Sequence, residues 1–223
     1  MKRHRSLISA LTMLLMGWLP LAEAQQIPSS AVACYLVGRF YVDPTTGKSE
    51  VAGYFTDING IGASDSLFKG MPSESTAYFT FRAMLSATSL PSNGDITLLL
   101  GSAGTYDIYY NPAPKGDWNN PDTFSGGQLV AHFSRPEFLS LQFDSFSFTQ
   151  HAITETLVSS QAFTFKGHRH NFKELTPGGI TLYNYVSNTP LPRAVVAGFS
   201  TSPIVLPYAG NCIAVAGGDQ DEQ

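Results

Sequence analysis

Apolar residues return at every second position along most of this chain, and that period belongs to strands half buried in a sheet; a helix would repeat near every 3.6 residues. Leu36, Gly38, Phe40 and Val42 alternate with Val37, Arg39 and Tyr41. After the turn-forming run Asp43-Pro44-Thr45-Thr46-Gly47-Lys48, a second strand carries Val51, Gly53 and Phe55, so the pair reads as a hairpin. Beyond a loop with Asn59-Gly60-Ile61-Gly62 and Gly70-Met71-Pro72, Ala77, Phe79, Phe81, Ala83 and Leu85 share one face of a long strand, with Tyr78, Thr80 and Arg82 on the other. A turn over Pro91 to Gly94 leads into Ile96 to Leu100, then Tyr106, Ile108 and Tyr110.

Between Phe138 and His151 the alternation changes phase. Leu139, Leu141 and Phe143 are odd-numbered while Phe146 and Phe148 are even, so a β-bulge near Asp144-Ser145 is predicted to hold all five on one face. Phe163 and Phe165, Ile180 to Val186, and Val195, Ala197 and Phe199 read as further strands. No window of twelve residues carries a helical stripe. The expected class is all-β: a single antiparallel β-barrel of about eight strands, with a β-sandwich as the alternative.

The ends of the chain point to export. Lys2, Arg3 and Arg5 precede an apolar run from Leu7 to Leu21 that is too short for a membrane helix, and Ala22-Glu23-Ala24 offers the small-x-small pattern of signal cleavage. Residues 1–24 are expected to be a signal peptide, 25–216 the β domain, and 217–223 a disordered acidic tail. A lipoprotein signal ending at Ala31-Val32-Ala33-Cys34 is the weaker alternative, because it lies far past the apolar run and would leave Cys212 without a partner. In an exported chain the only two cysteines, Cys34 and Cys212, are expected to pair. Their bond closes most of the chain, a closure worth about 5 kcal/mol by chain entropy, and brings the first and last strands together.

Charge and motifs narrow the function mainly by exclusion. The chain carries 13 Lys and Arg against 17 Asp and Glu. The expected mature form loses Lys2, Arg3, Arg5 and Glu23, leaving a balance near −6 with no basic run, so phosphate-facing nucleic-acid binding is not expected. No further apolar run could span a membrane. The sequence holds no Gly-x-Ser-x-Gly elbow, phosphate loop, His-Glu-x-x-His or CxxC pair; no cofactor or bound metal is expected, and no feature specifies a protein partner.

The seventeen residues Asn111 to Gly127 lack strand character and contain Trp118 beside Asp117, Asn119, Asn120 and Asp122. Connections this long are often functional. Trp118 offers a flat face to a sugar or apolar ligand, with Asp117, Asn119 and Asp122 to orient it; those same oxygens could serve Ca²⁺, although the spacing is not that of an EF-hand. The plain alternative is that Trp118 folds back on the barrel while Asn and Asp shape turns. Arg82, Asp107 and His132 lie opposite the aromatic positions of their strands and form a second candidate, for acid-base chemistry or for holding a polar ligand; solvent-facing side chains are the plain reading. His168 and His170, two apart, could meet one metal, but their parity relative to Phe163 and Phe165 places both outside.

The leading functional expectation is therefore an exported barrel whose mouth, rimmed by the Trp118 loop and the Gly60 to Gly70 loop, binds a small apolar or amphipathic molecule. An envelope-associated interaction module displaying Tyr41, Tyr54, Tyr78, Tyr109, Tyr183 and Tyr185 comes second. A cofactor-free isomerase or cyclase comes third.

Overall fold

The computed structural model describes residues 26–62, 67–85, 87–89, 94, 96–143, 148–192, 195–199 and 202–217. The expected leader, the bulge at Asp144-Ser145 and residues 218–223 of the expected tail lie outside them. The strands are β1 (Val32–Val42), β2 (Ser49–Ile58), β3 (Phe79–Leu85), β4 (Ala87–Ser89), β5 (Ile96–Gly101), β6 (Gly104–Tyr110), β7 (Gln128–Arg135), β8 (Phe138–Phe143), β9 (Phe148–Ser160), β10 (Phe163–Phe165), β11 (His168–His170), β12 (Ile180–Ser187) and β13 (Ile204–Ala214). A 3₁₀ turn at Pro121–Ser125 and one helical turn, α1 (Phe172–Leu175), complete the described elements.

Eight strands close on themselves in the order β12-β13-β1-β2-β3-β6-β7-β9, with β9 returning to pair with β12. Every pairing in the ring is antiparallel and spatial order follows chain order, so the fold is an up-and-down barrel. β4, β5 and β8 prolong β3, β6 and β7 beyond one end, and β8 rejoins β9. A closed ring leaves no unpaired edge in the wall. Its seam lies between β1 and β13, where Cys34 and Cys212 are register partners and form a disulfide.

The lower half of the interior is filled by side chains. Leu36, Phe55, Phe79, Phe81, Tyr106, Ile108, Phe133 and Leu182 are all fully or almost fully buried there. Phe81 fits because the wall facing it carries no side chain: Gly38 pairs with Gly53, and a Cβ on Gly53 would lie 2.6 Å from Phe81 Cζ. The β10–β11 hairpin and α1 plug this lower end, with Phe163 and Phe165 stacked edge-on against Phe79 at 5.5 and 5.1 Å.

Two expectations fail here. His170 is buried at 6% exposure and stacks on Phe163 at 5.6 Å, whereas His168 is exposed. The turn Lys166-Gly167, both at positive φ, reverses the strand so that Phe163 and His170 are direct partners. Cross-strand partners share a face whatever their numerical parity. Residues 195–199 also form no strand. Pro190 and Pro192 remove donors nearby, Gly198 has φ +85°, and the segment crosses the outer wall with Ala197 N–H donating to the Asn119 carbonyl at 2.8 Å. Val196 and Val205 join Tyr41, Ala52 and Phe124 in a second apolar cluster outside the barrel.

Two outcomes check this description. Replacing both cysteines (C34S/C212S) is expected to lower stability by about 2–5 kcal/mol, read from denaturant unfolding under oxidising conditions. Gly53→Ala should cost about 1–3 kcal/mol through overpacking against Phe81; an unchanged unfolding midpoint would contradict the close approach.

Candidate functional site

The upper half of the barrel is not filled. A chamber of about 280 Å³ is lined by Phe40, Val42, Leu85, Leu99, Phe138, Val186 and Leu206, with Ser49, Ser140, Gln142, Thr149, His151 and Asn188 as its polar members and Gly47 at its edge. The volume exists because the strands keep their inward period while the small residues Ser49, Ser140 and Thr149 take inward positions that large aromatic residues hold lower down. This chamber opens at the Gly47 end of β1 and β2. The loop after Ile58 and the loop after Tyr110 leave from the opposite, plugged end, so neither the described residues of the Gly60 to Gly70 region nor the Trp118 loop rims it.

Beneath the chamber lies a gap of about 10 Å³, close to the smallest space that holds one water. Phe40, Leu85, Phe138 and His151 line both spaces, while Arg135, Asn184 and Tyr208 line only the lower one. Arg135 is 3% exposed, and its Nε donates to Glu155 Oε1 at 2.7 Å. Its guanidinium lies between the rings of Tyr106 and Phe138, 5.7 and 5.8 Å from their centroids. A guanidinium presents five donors in a fixed plane, and the bond to Glu155 occupies Nε–H. Three buried polar atoms nearby have no hydrogen-bond partner: Glu155 Oε2, Asn184 Oδ1 and Tyr106 Oη.

Burial dominates the electrostatics of this floor. It pushes the Glu155 carboxyl up to about 7, against the pull and hydrogen bond of Arg135 and with a smaller upward push from Asp107. It lowers His151 to about 4, with Arg135 adding to the effect, so His151 is a neutral imidazole at neutral pH, with Nδ1 3.4 Å from Ser140 Oγ. Tyr106 and Tyr208 are both raised by burial, and for Tyr208 the Arg135 charge and a hydrogen bond from Asn184 pull the other way. Both phenols are therefore protonated. The floor offers a fixed cation, phenolic hydroxyls and an amide inside a largely apolar shaft.

The residues singled out from sequence sit elsewhere. Arg82, Asp107 and His132 are register partners across β3, β6 and β7, brought together in one row on the outer face. His132 Nδ1 is 2.5 Å from Asp107 Oδ1, and Arg82 bridges buried Glu50 at 2.9 Å and Asp122 at 2.6 Å. Burial disfavours the Arg82 charge, but Glu50 and Asp122 outweigh it and raise its pKa. Trp118 packs against the outer wall with its ring tilted, 4.8 Å from Phe124 and 5.9 Å from Tyr54, and the Arg39 guanidinium lies 4.6 Å from its centroid. The Tyr41 hydroxyl donates to its carbonyl at 3.0 Å. Asp117 Oδ1 accepts from Asn119 N–H at 2.9 Å. No group of three His, Cys, Asp or Glu converges as for a metal ion among the described residues. Of the six tyrosines, Tyr183 and Tyr185 are exposed side by side on β12, and Tyr41, Tyr54, Tyr78 and Tyr109 are buried or half-buried.

Glu155 has no partner arguable from sequence, and Arg135, His151, Asn184 and Tyr208 escape that reading, yet each of the five occupies an inward register position. Arg135 continues Ala131 and Phe133, His151 and Glu155 flank Ile153, and Asn184 stands between Leu182 and Val186. A polar side chain on the apolar parity of its strand was the available signal.

The class defined by this geometry is a small closed antiparallel β-barrel with an interior chamber above a buried polar floor. No protein-family model matches the chain, and no curated protein or solved structure matches it. No helix among the described residues is long and apolar enough to cross a membrane.

Two groups of variants test the floor. Arg135→Ala should cost about 3–5 kcal/mol by stranding Glu155, while R135M/E155L, which removes both charges, should cost much less. Linkage supplies the second test. Between about 4.5 and 7 the folded chain keeps a proton on Glu155 that the unfolded chain releases, so this contribution falls as pH rises. Between about 6.5 and 4 the unfolded chain protonates His151 and the folded chain resists, so that contribution falls as pH drops. The two oppose in their overlap. Urea midpoints of Glu155→Gln are expected to rise with pH across the overlap relative to the parent, and those of His151→Gln to fall; parallel profiles for all three proteins would contradict the assignment.

Proposed function

We propose that this protein is an exported carrier or receptor that binds one small amphipathic molecule in the upper chamber of its barrel. The observation that carries the reading is the chamber itself: about 280 Å³ of unfilled space in a barrel whose other half is packed solid. Small-molecule sites are typically concave and mostly apolar, with a few placed polar groups. Here Phe40, Val42, Leu85, Leu99, Val186 and Leu206 would take the apolar body, while Ser140, Gln142, Thr149 and His151 would meet its polar end. The Cys34–Cys212 disulfide accords with an oxidising compartment and with the basic and apolar start of the chain, which supports secretion or a periplasmic address.

Filling the chamber is the direct test. Ser140 is buried on its wall, and Ser140→Phe is expected to weaken binding of the fluorescent probe N-phenyl-1-naphthylamine at least tenfold, with the far-ultraviolet circular dichroism unchanged. Equal probe binding by parent and variant, or none by the parent, would remove the support for this reading.

A further inference from the structure

The water-sized gap under the chamber specifies more than a hydrophobic ligand. Resting on the binding function proposed above, we infer that the ligand is an amphipathic carboxylate whose terminal oxygen enters the gap to meet Arg135 and Tyr208, while its apolar body fills the chamber.

Arg135 is the cation lining the gap, and the gap shares Phe40, Leu85, Phe138 and His151 with the chamber above. An extended molecule passing between these four side chains reaches the guanidinium with its end group alone. The gap has room for about one oxygen atom. A bulky head such as a quaternary ammonium or a sugar does not fit it.

Chemistry then selects the sign. The floor presents donors: the guanidinium, which has no acceptor capacity, and the phenol of Tyr208. Asn184 Oδ1, the neutral His151 ring and the phenol oxygen can accept as well, and Glu155 does not line the gap, so the full charge of Arg135 decides between head groups. A carboxylate at a buried guanidinium forms charge-assisted hydrogen bonds, about twice as strong as neutral ones. An alcohol gains only a neutral bond, and an ammonium meets a like charge. Burial also disfavours a charge on Glu155, so Glu155 can hold Arg135 in place in its protonated form while the ligand supplies the counter-charge. Groups facing this carboxyl are Arg135 from β7, Tyr106 from β6 and Tyr208 from β13, while Asp107 acts on it from the outer face of β6.

Packing makes the arrangement selective. Arg135 is held in place, because its guanidinium lies over the Tyr106 and Phe138 rings, the side chain is buried and Glu155 holds Nε. A donor set fixed in this way loses little conformational freedom on binding, which is the usual origin of affinity in a preorganised site.

Three ten-carbon probes of equal body separate the possibilities: decanoate, decanol and decylamine, each titrated by displacement of N-phenyl-1-naphthylamine at pH 6, where Glu155 keeps its proton. Decanoate is expected to bind at least tenfold more tightly than decanol, with decylamine weakest. R135M/E155L, which exchanges the ion pair for apolar side chains of similar size, should bring decanoate to the level of decanol while still binding the fluorescent probe. Equal affinity for decanoate and decanol in the parent would overturn the carboxylate assignment and leave the chamber reading intact. So would a preference for decanoate that survives in R135M/E155L. Failure of the parent to bind the fluorescent probe or any of the three chains would overturn both readings.

Discussion

Closure of the sheet is the constraint on which the other features rest. When β9 pairs with β12 and β1 with β13, every backbone donor and acceptor of the ring can be satisfied within the wall, and every second side chain is forced into a shaft that water cannot freely enter. The Cys34–Cys212 bond sits at the seam where the first and last strands meet, so it ties the place at which an up-and-down barrel would otherwise open. Once the shaft exists, what its inward positions carry decides whether it becomes core or cavity.

The two halves answer that differently. Below, Phe55, Phe79, Phe81 and Phe133 interlock, Gly38 and Gly53 give way to Phe81, and the β10–β11 hairpin stoppers the end with Phe163 and Phe165. Above, Ser49, Ser140 and Thr149 occupy inward sites with too little volume to meet across the axis. The buried Arg135–Glu155 pair lies at the boundary between these regimes. Such a pair recovers in mutual attraction only part of the cost of desolvating two charges, and Glu155 Oε2, Tyr106 Oη and Asn184 Oδ1 have no partner. That expense has no counterpart in the packed half, where apolar side chains fill the same kind of position.

The outer wall is also organised. The Asn111 to Gly127 connection lies against the barrel, where Trp118 and Phe124 cover Tyr41 and Ala52. Glu50, exposed to water in a bare barrel, is buried beneath Arg82 and the loop carrying Asp122. Arg82, Asp107 and His132 did converge, as neighbouring strands allow, but on this face rather than in the shaft. The tyrosines divide likewise, with Tyr41 and Tyr54 absorbed under the loop and Tyr183 and Tyr185 left at the surface.

Much of the fold was legible because period two is a local property: it located β1 to β3, β5, β6 and β12, with β5 and β12 within one residue of their ends and β1 only from its fifth residue, while β13, interrupted by Pro207 and Gly210, was not read as a strand; the paired cysteines implied adjacent chain ends. The segment 195–199 misled because alternating apolar residues look the same whether they pair in a sheet or lie across one. His170 misled because parity counts along a strand and fails across a two-residue turn. The floor was hidden for a related reason. Arg135, Glu155, Asn184 and Tyr208 belong to four different strands, and nothing local states that Arg135 and Glu155 are neighbours, although each could have been marked as a polar residue on an apolar parity. Sequence alone thus determined the all-β class, the approximate places of many strands and the meeting of the chain ends, since these follow from side-chain period and covalent chemistry. Tertiary structure decided which face of each strand is inside, which half of the shaft stays empty, and which charges share it, because those depend on the register between strands far apart in the chain.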